Sequence, residues 1–143
     1  MTHQKPTLTF LLPVRGKQQF LMEQISAIFI LAENYGGLCE ILLLTDQTDN
    51  VWAKVAWLAM KMNAEKHSHV RTRRLWFTSQ LDMANLIEAG MHNALGEKIV
   101  IVSSCSEVIE AQKASDVFNR QVLVTQTMLS DNGFSEILSK QRL

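Results

Sequence analysis

The stretch EILLLTD, Glu40 to Asp46, sets four consecutive large aliphatic residues between a carboxylate and a Thr-Asp pair. A half-exposed strand would alternate apolar with polar positions. An unbroken apolar run this short, ended by turn-forming residues, marks instead a strand covered on both faces. Such strands belong to mainly parallel sheets, because parallel neighbours need a long crossover and that crossover is normally a helix packed on the sheet. The residues on either side should therefore alternate between strand and helix patterns.

They do so toward the N-terminus. Leu8, Phe10 and Leu12 alternate with Thr9 and Leu11 and stop at Pro13, which reads as a first buried strand closed by a residue without an N–H. Beyond the Arg15-Gly16 turn, Phe20, Leu21, Ile25, Ile28 and Ala32 recur at helical spacing, and Gly36 with Gly37 supplies the stop.

The same unit recurs toward the C-terminus. Asp49 is placed to cap a helix through Trp52, Val55, Ala59 and Met62, and HVRTRRLWF then alternates as a strand. Ser79, with Asp82 three residues on, starts a helix marked by Met83, Ile87, Met91 and Ala94. KIVIV is a fourth strand, a serine near Ser106 caps a helix through Val108, Ile109 and Ala114, and QVLVTQ is a fifth strand. The tail GFSEILSKQRL has the pattern of a short terminal helix. With no linker, composition break or repeat, residues 1–143 read as one α/β domain, a three-layer, mainly parallel sheet built from right-handed βαβ units.

Composition agrees and narrows the function. The chain is 47% apolar and 20% charged with 2 Pro, which excludes a disordered or low-complexity segment. Formal net charge is zero, so no overall field draws the protein to nucleic acid or an anionic membrane. The longest apolar run, Ile25 to Ala32, falls far short of the roughly 20 residues of a membrane span. Cys39 and Cys105 stand at no metal-ligand spacing and form no disulfide framework, which suits a reducing cytoplasm.

The order of motifs resembles glycosyltransferase family 2, in particular the catalytic domain of dolichyl-phosphate mannosyl and glucosyl transferases. LLPVRGK, with Pro13 to Lys17, stands where that family has Pro-x-Tyr-Asn-Glu, and EILLLTDQTD stands where it has a strand running into Asp-Asp-Gly-Ser-x-Asp. The longest match is DMANLIEAGMHNALGEKIVIVSSC, Asp82 to Cys105, in which Glu88-Ala89-Gly90 replaces Arg-Ala-Gly and Leu95-Gly96-Glu97 replaces Arg-Gly-Glu. The resemblance implies a nucleotide-diphospho-sugar transferase (GT-A)-like fold and a nucleotide or nucleotide-sugar ligand held near Pro13, Arg15, Asp46, Ser103, Ser104 and Cys105.

The departures count against turnover. Ser103, Ser104 and Cys105 stand where the family's Asp-x-Asp holds a divalent cation, and hydroxyls and a thiol are poor ligands for Mg²⁺ or Mn²⁺, so no metal cofactor is expected. Lys17 replaces a Glu, Asp82-Met83-Ala84 replaces Gly-Lys-Gly, and the acceptor segment that follows the fifth strand in the family has no counterpart. The expectation is a degenerate transferase domain that binds a nucleotide without metal-dependent transfer. The alternative is a non-enzymatic, homo-oligomeric assembly or regulatory module on the same fold.

Other residue groups carry two readings each. Cys105 lies at an expected helix N-terminus, which lowers a thiol pKa, although Ala111 rather than Arg follows six residues on and no phosphatase-like loop forms. The neighbouring serines suit either an anion or a helix cap. Asp46 and Asp49 suit either a nucleotide or a turn and an N-cap. His67 and His69 suit a ligand pair or a solvated loop, and Arg71, Arg73 and Arg74 suit phosphates or the protection of a sheet edge. Trp57 stands well round its helix from the stripe Trp52, Val55, Ala59 and Met62, which points to a second covered face and a homodimer.

Overall fold

The computed structural model describes residues 5–14, 21–46, 50–102 and 121–125, with Asn50 and residues 121–125 described by their backbone alone. In chain order the elements are β1 (Leu8–Pro13), α1 (Leu21–Tyr35), β2 (Cys39–Thr45), α2 (Asn50–Ala64), β3 (Val70–Trp76), α3 (Met83–Asn93), β4 (Lys98–Val102) and β5 (Gln121–Thr125). The five strands form one sheet in the order β3-β2-β1-β4-β5. Every neighbouring pair is parallel, with Leu8 level with both Cys39 and Lys98.

The run that decided the class behaves as expected: all of β1 and β2 is buried. Alternate residues of the sheet feed two separate cores. Leu8, Phe10, Leu12, Cys39, Ile41, Leu43, Val100 and Val102 meet α1 and α2 on one face. On the other, Leu11, Leu42, Leu44, Ile99 and Ile101 meet Met83, Leu86, Ile87 and Met91 of α3. This is a three-layer α/β domain, with apolar side chains from both faces of each central strand removed from water.

Helix α1 ends where the glycine pair predicts, with Gly36 at φ 79° and its amide donating to the Glu33 carbonyl. Helix α3 begins differently from expectation. Its N-cap is Asp82, in extended backbone, whose side chain accepts the Asn85 amide at 2.7 Å, whereas Ser79 lies outside the helix. Ser79-x-x-Asp82 has the spacing of a capping box, but the carboxylate is the better acceptor and stands directly before the first buried residue, Met83. Asp82→Ala is expected to lower the unfolding free energy by about 1 kcal/mol in urea titrations, against a few tenths at most for Ser79→Ala.

Helix α2 is turned relative to the expected stripe, of which Trp52 and Ala59 meet the core and Met62 does not. Ala53, Ala56, Ala59 and Met60 line the sheet side, and Trp52 and Trp57 pack against the same core from either flank of that line. Met62, placed in the core stripe by periodicity, points to solvent. The small alanines let the helix lie close to the sheet, and the two tryptophans close the gaps beside it. The Asp49 cap, Phe20, the helix of Val108, Ile109 and Ala114, its serine cap and the tail helix lie outside the described residues.

Candidate functional site

The strand order reverses at β1. The chain moves from β1 to β2 and β3 on one side, then returns through α3 to β4 on the other side of β1. In open parallel sheets, ligands sit outside the carboxyl ends of the strands at such a switch point, where successive connections diverge to opposite faces. Pro13 ends β1 there and Val102 ends β4. Val14 extends the pairing past the proline, its amide donating to the Leu44 carbonyl at 3.0 Å.

Asp46 follows β2 at the same edge and is 2% exposed. One carboxylate oxygen accepts the Leu81 amide at 3.1 Å, so this side chain holds the segment before α3 against the end of β2. Beside it, the Phe77 amide donates to the Thr45 carbonyl at 2.9 Å, and the Thr45 hydroxyl to the Leu75 carbonyl at 3.4 Å. Of the expected site residues, the structure thus brings Pro13 and Asp46 to one edge of the sheet. Arg15, Lys17, Asp49, Ser103, Ser104, Cys105 and Ser106 lie outside the described residues.

The remaining groups resolve into structural contacts. His67 is half-buried against Phe29 with ring centroids 5.5 Å apart, and its Nδ1 lies 3.0 Å from Glu33 Oε2, so it is a packed residue with an acidic neighbour and not a solvated loop residue. Among the described residues no group of three or more His, Cys, Asp or Glu side chains is arranged to hold a metal ion. Arg74 lies over the Trp76 ring at 5.6 Å, on the edge strand.

At the opposite, amino end of the strands lies a polar network that periodicity does not reveal. Glu40 is 1% exposed. Its Oε1 accepts Arg73 Nε at 2.7 Å. Its Oε2 accepts the Thr9 hydroxyl at 2.7 Å and the Leu95 amide at 2.6 Å. The Gly96 amide in turn donates to Thr9 Oγ1 at 2.9 Å, and Arg73 Nη2 donates to the Asn93 carbonyl at 2.6 Å, at the C-terminus of α3. Both glutamate oxygens are satisfied, and the guanidinium faces the negative end of the helix dipole. Arg73 is therefore neither a phosphate ligand nor a surface guard. The signal available in sequence was the lone carboxylate of β2, set directly before its run of four aliphatic residues, together with an arginine on the next strand.

Cys39, at the start of β2, is buried, and desolvation pushes its thiol from 9.0 up to about 12. It is protonated and inert at neutral pH. In a Cys105→Ser background, a thiol reagent should label the folded protein far more slowly than the chain in guanidinium. The native state holds this proton more tightly than the unfolded state. The thiol's contribution to stability is therefore intact below pH 9.0 and lost as pH rises toward about 12, a decline absent in Cys39→Ala.

The parallel sheet with helices on both faces thus defines a three-layer α/β domain. No protein-family model matches the chain. No curated protein matches it. Among solved structures it is similar to a protein of the universal stress protein family from Burkholderia pseudomallei, with a TM-score of 0.55 and 13% identity over 83% of this chain and 96% of that one. The likeness is one of fold.

These findings overturn the expected membership of glycosyltransferase family 2, and with it the GT-A assignment and the reading of the chain as a degenerate glycosyltransferase domain. The structure supplies a physical reason for the misleading match over Asp82 to Cys105. A Cβ on Gly90 would come within 2.6 Å of the Leu44 side chain, and one on Gly96 within 2.7 Å of the Thr9 backbone nitrogen. Both glycines are set by the packing of α3 and its return loop on a parallel sheet, and that packing requires no glycosyl donor.

Proposed function

We propose that this chain is a nucleotide-binding α/β domain whose ligand lies at the carboxyl ends of β1 and β4. The observation that carries the reading is the reversal of strand order between these two strands. The sequence continues from Val14 into Arg15 and from Val102 into Ser103, Ser104 and Cys105, which offers one guanidinium and two hydroxyls to a phosphate. Asp46 contributes by holding the Leu81 segment at the same edge. The proposal needs no metal, because charge neutralisation is assigned to Arg15 and backbone amides.

Calorimetric titration with ADP, UDP, GDP and inorganic phosphate, each with and without Mg²⁺, tests it. Saturable binding of a nucleotide, weakened about tenfold by Arg15→Ala, is the expected result, a charged hydrogen bond being worth about 1.5–3 kcal/mol. Asp46→Ala, which removes the acceptor of the Leu81 amide at this edge, should weaken binding as well. No heat from folded protein with any of the ligands would overturn the proposal.

A further inference from the structure

The outer face of α2 carries a second feature, unrelated to the strand edge. Val51, Val55, Leu58 and Met62 follow one another at spacings of four, three and four, the seam along which one helix packs against another. Val51, Leu58 and Met62 are 66, 62 and 67% exposed. They face away from Ala53, Ala56 and Met60, which are fully buried. Isolated exposed aliphatics are ordinary, but a row of them at this spacing marks a docking surface.

Charge selects the occupant. Lys54 and Lys61 stand seven residues apart on one side of the row, where a docked helix would place its own flanking charges. Neither lysine has an ion pair among the described residues, and Lys61 Nζ lies 5.0 Å over the Trp57 ring. A second copy fits poorly: an antiparallel pair sets one lysine flank against the other, and a parallel pair sets it against Trp52 and Ala59, neither an anion. A membrane surface is also disfavoured, because the row is a narrow seam and not the broad apolar face of an interfacial helix. We propose that α2 docks an amphipathic helix of another protein, with apolar seam residues flanked by carboxylates.

The probe is a fluorescein-labelled three-heptad peptide with Leu and Ile at the seam and Glu on both flanks, compared with the same peptide carrying Lys. Fluorescence anisotropy should show saturable binding of the Glu peptide, weakening with added salt, and about tenfold weaker binding of the Lys peptide. Leu58→Ser with Met62→Ser should abolish binding without altering the circular dichroism spectrum, and Lys54→Glu with Lys61→Glu should reverse the preference between peptides. Equal affinity for both peptides, no binding of either, binding only to phosphatidylglycerol vesicles, or a dimer in sedimentation that Leu58→Ser dissociates would each overturn the proposal. None of these outcomes depends on a nucleotide at the strand edge.

Discussion

Glu40→Ala is expected to lower the unfolding free energy by about 3 kcal/mol, the lower end of what breaking a buried ion pair costs. The substitution strands a guanidinium, the Thr9 hydroxyl and the Leu95 amide together, in a region where Glu40 itself is 1% exposed. The loss sits at the low end because Arg73, with 36% of its side chain exposed, recovers part of its hydration. Arg73→Ala should cost less than Glu40→Ala, since two donors remain on the carboxylate. In a double-mutant cycle by urea denaturation, the pair should show a coupling of about 1–3 kcal/mol. Additivity would mean that the two side chains do not act as a unit.

Gly96→Ala is expected to be of similar size, about 3 kcal/mol, for a steric reason. The added methyl would lie 2.7 Å from the Thr9 nitrogen and 2.8 Å from the Leu8 carbonyl carbon, both backbone atoms of a central strand that cannot swing aside. The loop must move instead, which lengthens the Gly96 amide bond to Thr9 and loosens the Leu95 contact to Glu40. Gly90→Ala faces only the side-chain tip of Leu44 and should cost less, because a rotamer change relieves it. A thermal melt comparing the two alanine variants would separate backbone from side-chain obstruction.

These two sites show which part of the molecule could be read in advance. Strands β1, β2 and β4 were legible because burial on both faces demands unbroken apolar runs, and LTFLL, ILLL and IVIV have no other economical fold. The stop of α1 was legible because Gly36 adopts a backbone conformation that favours glycine. Local pattern failed where two residues compete for one role, as Ser79 and Asp82 do at the α3 cap, and on α2, where closeness to the sheet selected alanines over Met62. It could not show that Glu40 meets Thr9, Arg73 and Leu95, because those partners stand 31, 33 and 55 residues away in the chain and obey no period.

The candidate site was legible only as a place. An apolar strand running into Ser-Ser-Cys marks the carboxyl edge of a parallel sheet whatever the family, and the helix and loop glycines that completed the apparent transferase pattern answer to packing. Fold-level order therefore carried a family name that the residues themselves did not support. What remains is the geometry of the edge: β1 beside β4, and Asp46 bonded to Leu81.

The central claim is that a nucleotide binds at this edge, and amide chemical-shift mapping during a titration with ADP and UDP tests it most directly. The account predicts perturbations concentrated on Val14, Arg15, Asp46 and Ser103 to Ser106, with α2 and the Glu40 network unmoved. Perturbations centred instead on Lys98, Leu95 and the amino ends of the strands, or none at saturating nucleotide, would contradict it.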